Sequence, residues 1–199
     1  MKLILSKIKT YFGKLDKLLL FMCMGIACFA VFIQYTLYEN DISSAVTASQ
    51  YKTQIIAFIA GIVIAMALAA INYKYLAKLW FIYVPLAMGL TLLLFTPLGI
   101  QREGADDIGW LDLGIMTIQP SEILKLAFIL SLAVHLSKVE DRMNEPIHFI
   151  LLCIHGAIPT LLIRQTGDDG SALVFLFIFI CMMFAVSYTH LTLPTNREV

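Results

Sequence analysis

Charge is what this sequence has least of. Asp, Glu, Lys and Arg make up 14% of its 199 residues, where a soluble globular domain carries about 25%. That shortfall excludes an ordinary water-facing surface. Net charge is zero, so no global electrostatic pull draws the chain to nucleic acid, and none is expected as a partner. Cysteine is also sparse. Cys23, Cys28, Cys153 and Cys181 all lie inside apolar runs, and none forms a CxxC pair. They read as small lipid-compatible side chains with no metal role, and they carry no information on redox compartment. Internal repeats, low-complexity linkers and a soluble domain are likewise missing. The first residues lack the short apolar core and small-residue cleavage site of a signal peptide.

What is there is apolar sequence, 60% of the chain, in long runs. A bilayer core of about 30 Å needs about 20 such residues in a helix. The runs predict an all-α fold, a polytopic membrane helix bundle with about six transmembrane helices near residues 18–37, 53–71, 79–98, 120–137, 146–163 and 171–188. Residues 1–17 form a basic leader to a membrane domain over 18–187, and 188–199 are a polar tail that fits neither a span nor an amphipathic helix. That tail is expected to be unrelated to the rest, on an incomplete chain. Segments 1–17, 72–78 and 138–145 hold nine Lys and Arg, while 39–52, 99–119 and 164–170 hold only Lys52, Arg102 and Arg164. By the positive-inside rule the N-terminus is cytoplasmic and the Asp-rich segments 99–119 and 164–170 face outside.

Within the spans, Ala57, Gly61, Ala65 and Ala69 recur every fourth residue. They put a small-residue stripe on one helix face, where another helix can approach closely. Pro85 and Pro159 are expected to kink or interrupt their spans.

Chemistry concentrates in Gly99–Val139, a polar loop followed by an apolar helix. Pro120 suits a first helical turn, where its missing N–H costs nothing, with Gln119 or Thr117 as cap. Glu122 then meets the positive end of the helix dipole, and Lys125, three residues on, faces it. The pair reads either as an interfacial anchor or as a charged wall of a polar cavity between spans. Trp110 reads as an aromatic-belt anchor. Asp106, Asp107 and Asp112 read as a solvated loop face or as loose ligands for a divalent cation. In the second polar segment, Gly167 and Gly170 permit tight turns, one of Asp168 and Asp169 caps the following helix, and Arg164 balances their charge. His148 and His155, seven apart, can share a helix face, but two His make a weak metal site. His135 reads as interfacial.

GADDIGWLDLGIMTIQPSEILKLAFILSLA, from Gly104 onward, resembles the hallmark of the RodA/FtsW/SpoVE proteins of shape, elongation, division and sporulation. Trp110, Gly114 and the Gln119-Pro120-Ser121-Glu122 run with Lys125 carry the likeness, and Gln165 to Ala172, with Asp168 and Gly170, echo a second family feature. Two departures stand out. The basic residue that the family sets before the Trp is missing, and the second motif has lost its Pro and gained a residue, which makes Asp168 the counterpart of the family's Asp and places the chain in a divergent, FtsW-like branch.

The resemblance implies a peptidoglycan glycosyltransferase of the bacterial cytoplasmic membrane. Such enzymes polymerise lipid II at the outer face during division or elongation, alongside a class B penicillin-binding protein and among membrane lipids. It implies that Trp110, Glu122, Lys125 and Asp168 bind substrate. It also implies that the catalytic Asp sits in a large extracellular loop outside this sequence, since relatives carry about ten spans. A lipid-linked precursor flippase and a non-catalytic scaffold of the division machinery are the alternatives, because intramembrane charges serve the first and a small-residue stripe serves the second.

Overall fold

A computed structural model describes residues 16–40, 48–71, 73–102, 104–114, 117–143 and 145–192. It divides into two units, Met1–Asn72 and Tyr73–Val199.

The first unit holds helices α1 (Lys17–Glu39) and α2 (Ala48–Ala70). Asp16 starts α1 by accepting the Leu19 N–H at 3.0 Å, an N-cap that satisfies one of the orphan donors of a helix end. Tyr38 and Tyr51 stack with their planes 4° apart, tying one end of the pair. Ala57, Gly61 and Ala65 of the small-residue stripe line a crevice with Leu20 and Met24 of α1. A Cβ on Gly61 would meet nothing within 4 Å. The close helix approach expected from the stripe therefore does not occur at Gly61. Large side chains such as Phe21, Ile26 and Ile64 are exposed, an apolar surface far beyond what a monomer shows to water.

The second unit runs α3 (Tyr73–Lys78), α4 (Trp80–Leu92) with a 3-10 turn at Leu93–Phe95, strands β1 (Gly99–Ile100), β2 (Trp110–Asp112) and β3 (Thr117–Ile118), then α5 (Pro120–Val139), a 3-10 turn at Glu140–Arg142, α6 (Pro146–Gln165) and α7 (Asp169–Thr192). Helix α5 is its axis. Leu124, Ala127, Phe128, Leu132 and Leu136 recur at helical spacing and are buried against Ala87 of α4, Leu152 and Ile163 of α6, and Ala172 and Phe175 of α7. Burying one such side chain is worth about 1.5–3 kcal/mol of transfer out of water. In a bilayer that gain largely vanishes, and close packing takes its place. Phe128 and Phe175 meet with centroids 5.5 Å apart. Where α6 meets α7, Gly156 leaves room for the Phe179 ring.

Among the described residues, four helices are long and apolar enough to cross a membrane: Lys17–Glu39, Gln50–Ala70, Pro146–Gln165 and Asp169–Val186. The other two expected spans correspond to α5 and to a shorter apolar helix over Trp80–Phe95. That last one ends early because the chain turns into β1 at Gly99, where the span was expected to reach residue 98. Pro85 and Pro159 lie inside continuous helices and interrupt neither. At the far end, α7 continues to Thr192, past the expected stop at 188, and the rest of the expected tail lies outside the described residues.

A Gly156→Leu substitution drives its side chain into the Phe179 ring, whose nearest atom lies 2.6 Å from where a Cβ would sit. Overpacking of this kind costs about 1–3 kcal/mol, so Tm in detergent falls by about 4 °C or more. Gly25→Leu, where a Cβ meets nothing within 4 Å, leaves Tm unlowered.

Candidate functional site

Three pieces converge at one end of the second unit: the segment before α5, the first turn of α5, and the α6–α7 turn. The first was expected to be a loop and is instead a small antiparallel sheet of order β1-β2-β3. Trp110 therefore sits on a strand and not in a loop. Gly99 pairs with Leu111 and Ile100 with Trp110, while Leu111 also pairs with Ile118. Leu111 points inward, at 0% exposure. Its neighbours Trp110 and Asp112 take the opposite face, as strand alternation requires.

The register explains a contact that the sequence hides. Because Ile100 lies opposite Trp110, Arg102, two residues on, returns to the same face as the ring. Its guanidinium lies 3.5 Å from the Trp110 centroid, a cation–π contact worth about 0.5–1 kcal/mol at an exposed site. The cation over the ring thus comes from eight residues upstream. Asp112 Oδ1 accepts the Gly114 N–H at 2.7 Å, an Asx turn with Gly114 at φ 78°.

Gln119 occupies the N-cap of α5 without a side-chain cap bond, and Thr117, the other expected cap, belongs to β3. Pro120 is in the first turn, with Ser121 buried behind it and its Oγ without a hydrogen-bond partner. Glu122 and Lys125 do face each other. Lys125 Nζ donates to Glu122 Oε1 at 2.8 Å, with the lysine side chain 20% exposed and the carboxylate 60%. An i,i+3 pair on a watery helix is worth only about 0.2–0.5 kcal/mol. A lone charge in hydrocarbon costs about 2.5–3.5 kcal/mol, so charge compensation is the larger effect.

In the α6–α7 turn, Asp168 is the cap: its Oδ1 accepts the Ser171 N–H at 2.7 Å. Arg164 approaches Asp169 at 3.7 Å. Gly170 meets only ordinary contact, 3.6 Å to Asp168, whereas Gly167 is demanding. Its φ is 88°, and a Cβ there would come within 3.2 Å of the Asp107 Cα. Beside it the Ile108 N–H donates to the Thr166 carbonyl at 2.9 Å. The two Asp-rich segments are therefore joined. Among the described residues, no hydrogen bond or ion pair directly links Trp110, the Glu122–Lys125 pair and Asp168.

Further along α5 and α6 the histidines find partners. His148 pairs with Glu145 at 3.3 Å. His135 meets His155 with Nδ1 to Nδ1 at 3.0 Å, and His155 Nε2 meets Ser131 Oγ at 3.0 Å. Ser131 and His135 lie on α5 and His155 on α6, too far apart in sequence for spacing to reveal them. Among the described residues no three His, Cys, Asp or Glu are placed to hold a metal ion.

Gly167→Val forces a β-branched residue into a left-handed conformation at a cost of about 1–2 kcal/mol and pushes on Asp107. The Ile108 amide then exchanges with solvent deuterium about ten-fold faster. Unchanged exchange would mean that the two segments are not coupled.

Comparison with known proteins fits this architecture. The sequence profile of the FtsW/RodA/SpoVE family, described as cell cycle protein, matches residues 14–194. A protein of Geobacter sp. strain M18 named probable peptidoglycan glycosyltransferase FtsW is 31% identical over 183 residues, covering 85% of this chain and 47% of the relative. The peptidoglycan glycosyltransferase RodA of Treponema pallidum is 28% identical over 177 residues, covering 87% and 39%. The chain thus spans about half the length, or less, of the curated relatives it matches. Among solved structures, a chain of a peptidoglycan synthase complex superposes with a TM-score of 0.64 at 23% identity, over 80% of this chain and 45% of that one. The crystal structure of Thermus thermophilus RodA gives 0.58 at 23%, over 82% and 58%. The likeness in shape supports the fold, a polytopic helical membrane protein, and the profile match over nearly the whole sequence settles the lineage: this chain belongs to the FtsW/RodA/SpoVE family.

Proposed function

We propose that this chain works in peptidoglycan glycosyl transfer, polymerising lipid II at the outer face of the bacterial cytoplasmic membrane together with a class B penicillin-binding protein. In this reading the N-terminus is cytoplasmic and the sheet end of the second unit faces outward. The observation that carries it is the Glu122–Lys125 ion pair at the mouth of α5, set at the same end as the Arg102–Trp110 stack.

Transfer of a sugar from a lipid pyrophosphate needs stabilisation of the negative charge on the leaving group and a base for the acceptor hydroxyl. Lys125 supplies the first as a compact cation, already partly drawn out of lipid by Glu122. Glu122 keeps that ammonium oriented until phosphate competes for it. The Arg102 guanidinium over the Trp110 ring carries a fork of N–H donors suited to a second oxyanion. Trp110 and the sheet shape the entrance, and Asp168 caps α7 so that the joined Asp-rich segments stay put. The base is assigned to none of these residues.

The test uses the protein that carries this chain, in membranes with its transpeptidase partner and lipid II. Losing one such charge-stabilising group costs about 10²–10³ in rate. Lys125→Ala accordingly lowers glycan polymer about 100-fold, and Lys125→Arg retains part of the activity. Glu122→Ala is impaired in the same direction. Normal polymer yield from Lys125→Ala and Glu122→Ala at matched expression would overturn the assignment.

A further inference from the structure

The second unit contains a cavity of about 340 Å³ between α4, α5 and α6, walled by Met88, Phe128, Ile154 and Pro159 and touched by Ser131 and His155. That volume falls at the lower end of the range for small-ligand sites, about 300–1,000 Å³. None of the residues assigned to glycosyl transfer lines it. Its lining carries no Asp, Glu, Lys or Arg, so a charged occupant would find no counter-ion.

Two proton arrangements satisfy the hydrogen bonds on its polar wall, and both leave the same groups open. Ser131, 4% exposed, has one hydroxyl proton, which goes either to the Phe128 carbonyl at 3.1 Å or to His155 Nε2 at 3.0 Å. A neutral imidazole holds one N–H. In the first case the His155 Nε2–H donates to Ser131 and its Nδ1 accepts from His135 across 3.0 Å; in the second, Nε2 accepts and the Nδ1–H donates to His135. Either direction spends the Ser131 hydroxyl proton and the single N–H of His155. Two acceptors are left. One is a lone pair of Ser131 Oγ. The other is the His155 carbonyl, whose usual α-helical donor would be residue 159, a proline without an N–H. Both belong to residues that line the cavity, as does Pro159.

We propose that this cavity binds an uncharged lipid alcohol, which seats its chain among the apolar walls and donates its hydroxyl proton to Ser131 Oγ or the His155 carbonyl. An ether or ester brings no proton, and a carboxylate brings a charge that the site cannot match. The inference stands apart from glycosyl transfer.

The test is photolabelling of this chain in lipid nanodiscs with a long-chain primary alcohol carrying a diazirine, followed by peptide mapping. Labelling is expected on the α4 and α6 residues of the cavity. The unlabelled alcohol should displace it about ten-fold better than its methyl ether or the carboxylate of equal length, the worth of one hydrogen bond. Ser131→Ala removes an acceptor and narrows the gap between alcohol and ether. Met88→Trp fills the cavity and abolishes saturable labelling. Should either variant fail to fold, competition on the unaltered chain decides. Equal competition by alcohol and ether overturns the proposal. So does labelling that is no denser in the cavity than on the exposed faces of α1 and α2.

Discussion

Placing polar groups inside an apolar bundle is costly unless they find partners, because hydrocarbon offers none. Helix α5 lives under that constraint. It carries Glu122, Lys125, Ser131 and His135 through the middle of the second unit, and each is paired within α5 itself or across to α6. Glu122 and Lys125 neutralise each other one turn apart. Ser131 and His135 reach the same imidazole, His155, from successive turns. Apolar stripes fix which face of α5 looks inward, and the polar pairings fix its rotation and depth against α6.

The polar end follows from the same logic. Backbone leaving one helix for the next must satisfy its own N–H and C=O groups, and the sheet does this between α4 and α5. Its hydrogen bonds, the Asp112–Gly114 turn and the Ile108–Thr166 link make a fixed platform of a stretch whose composition suggests a loose loop. Two glycines are required there for backbone reasons: Gly114 for its turn, and Gly167 for both its left-handed φ and its closeness to Asp107. Charge at this end is then presented from a fixed base.

Much of this was legible from the residues alone. Long apolar runs announced the membrane helices, since hydrophobic length against bilayer thickness is a one-dimensional quantity. Pro120, Glu122 and Lys125 announced a helix start with an ion pair, because positions three apart share a helix face whatever surrounds them. Asp168 and Asp169 announced a cap between them for similarly local reasons, and the structure gives it to Asp168. The QPSE run pointed to the lineage that the profile match then showed.

What the residues could not reveal depends on pairing between distant segments. The strands of two and three residues around Trp110 are too short for alternation to be seen, and Arg102 reaches the ring only because a hairpin register returns it there. His135 and His155 stand on different helices, and nothing in their spacing announces a bond. Sequence by itself determined the membrane class, the helix starts and the i,i+3 chemistry, all set by contacts within one turn or by segment length. Tertiary structure decided which helix faces meet, what stacks on Trp110 and which ring nitrogens of the half-buried histidines meet, because those depend on the packing of helices that the chain order does not specify.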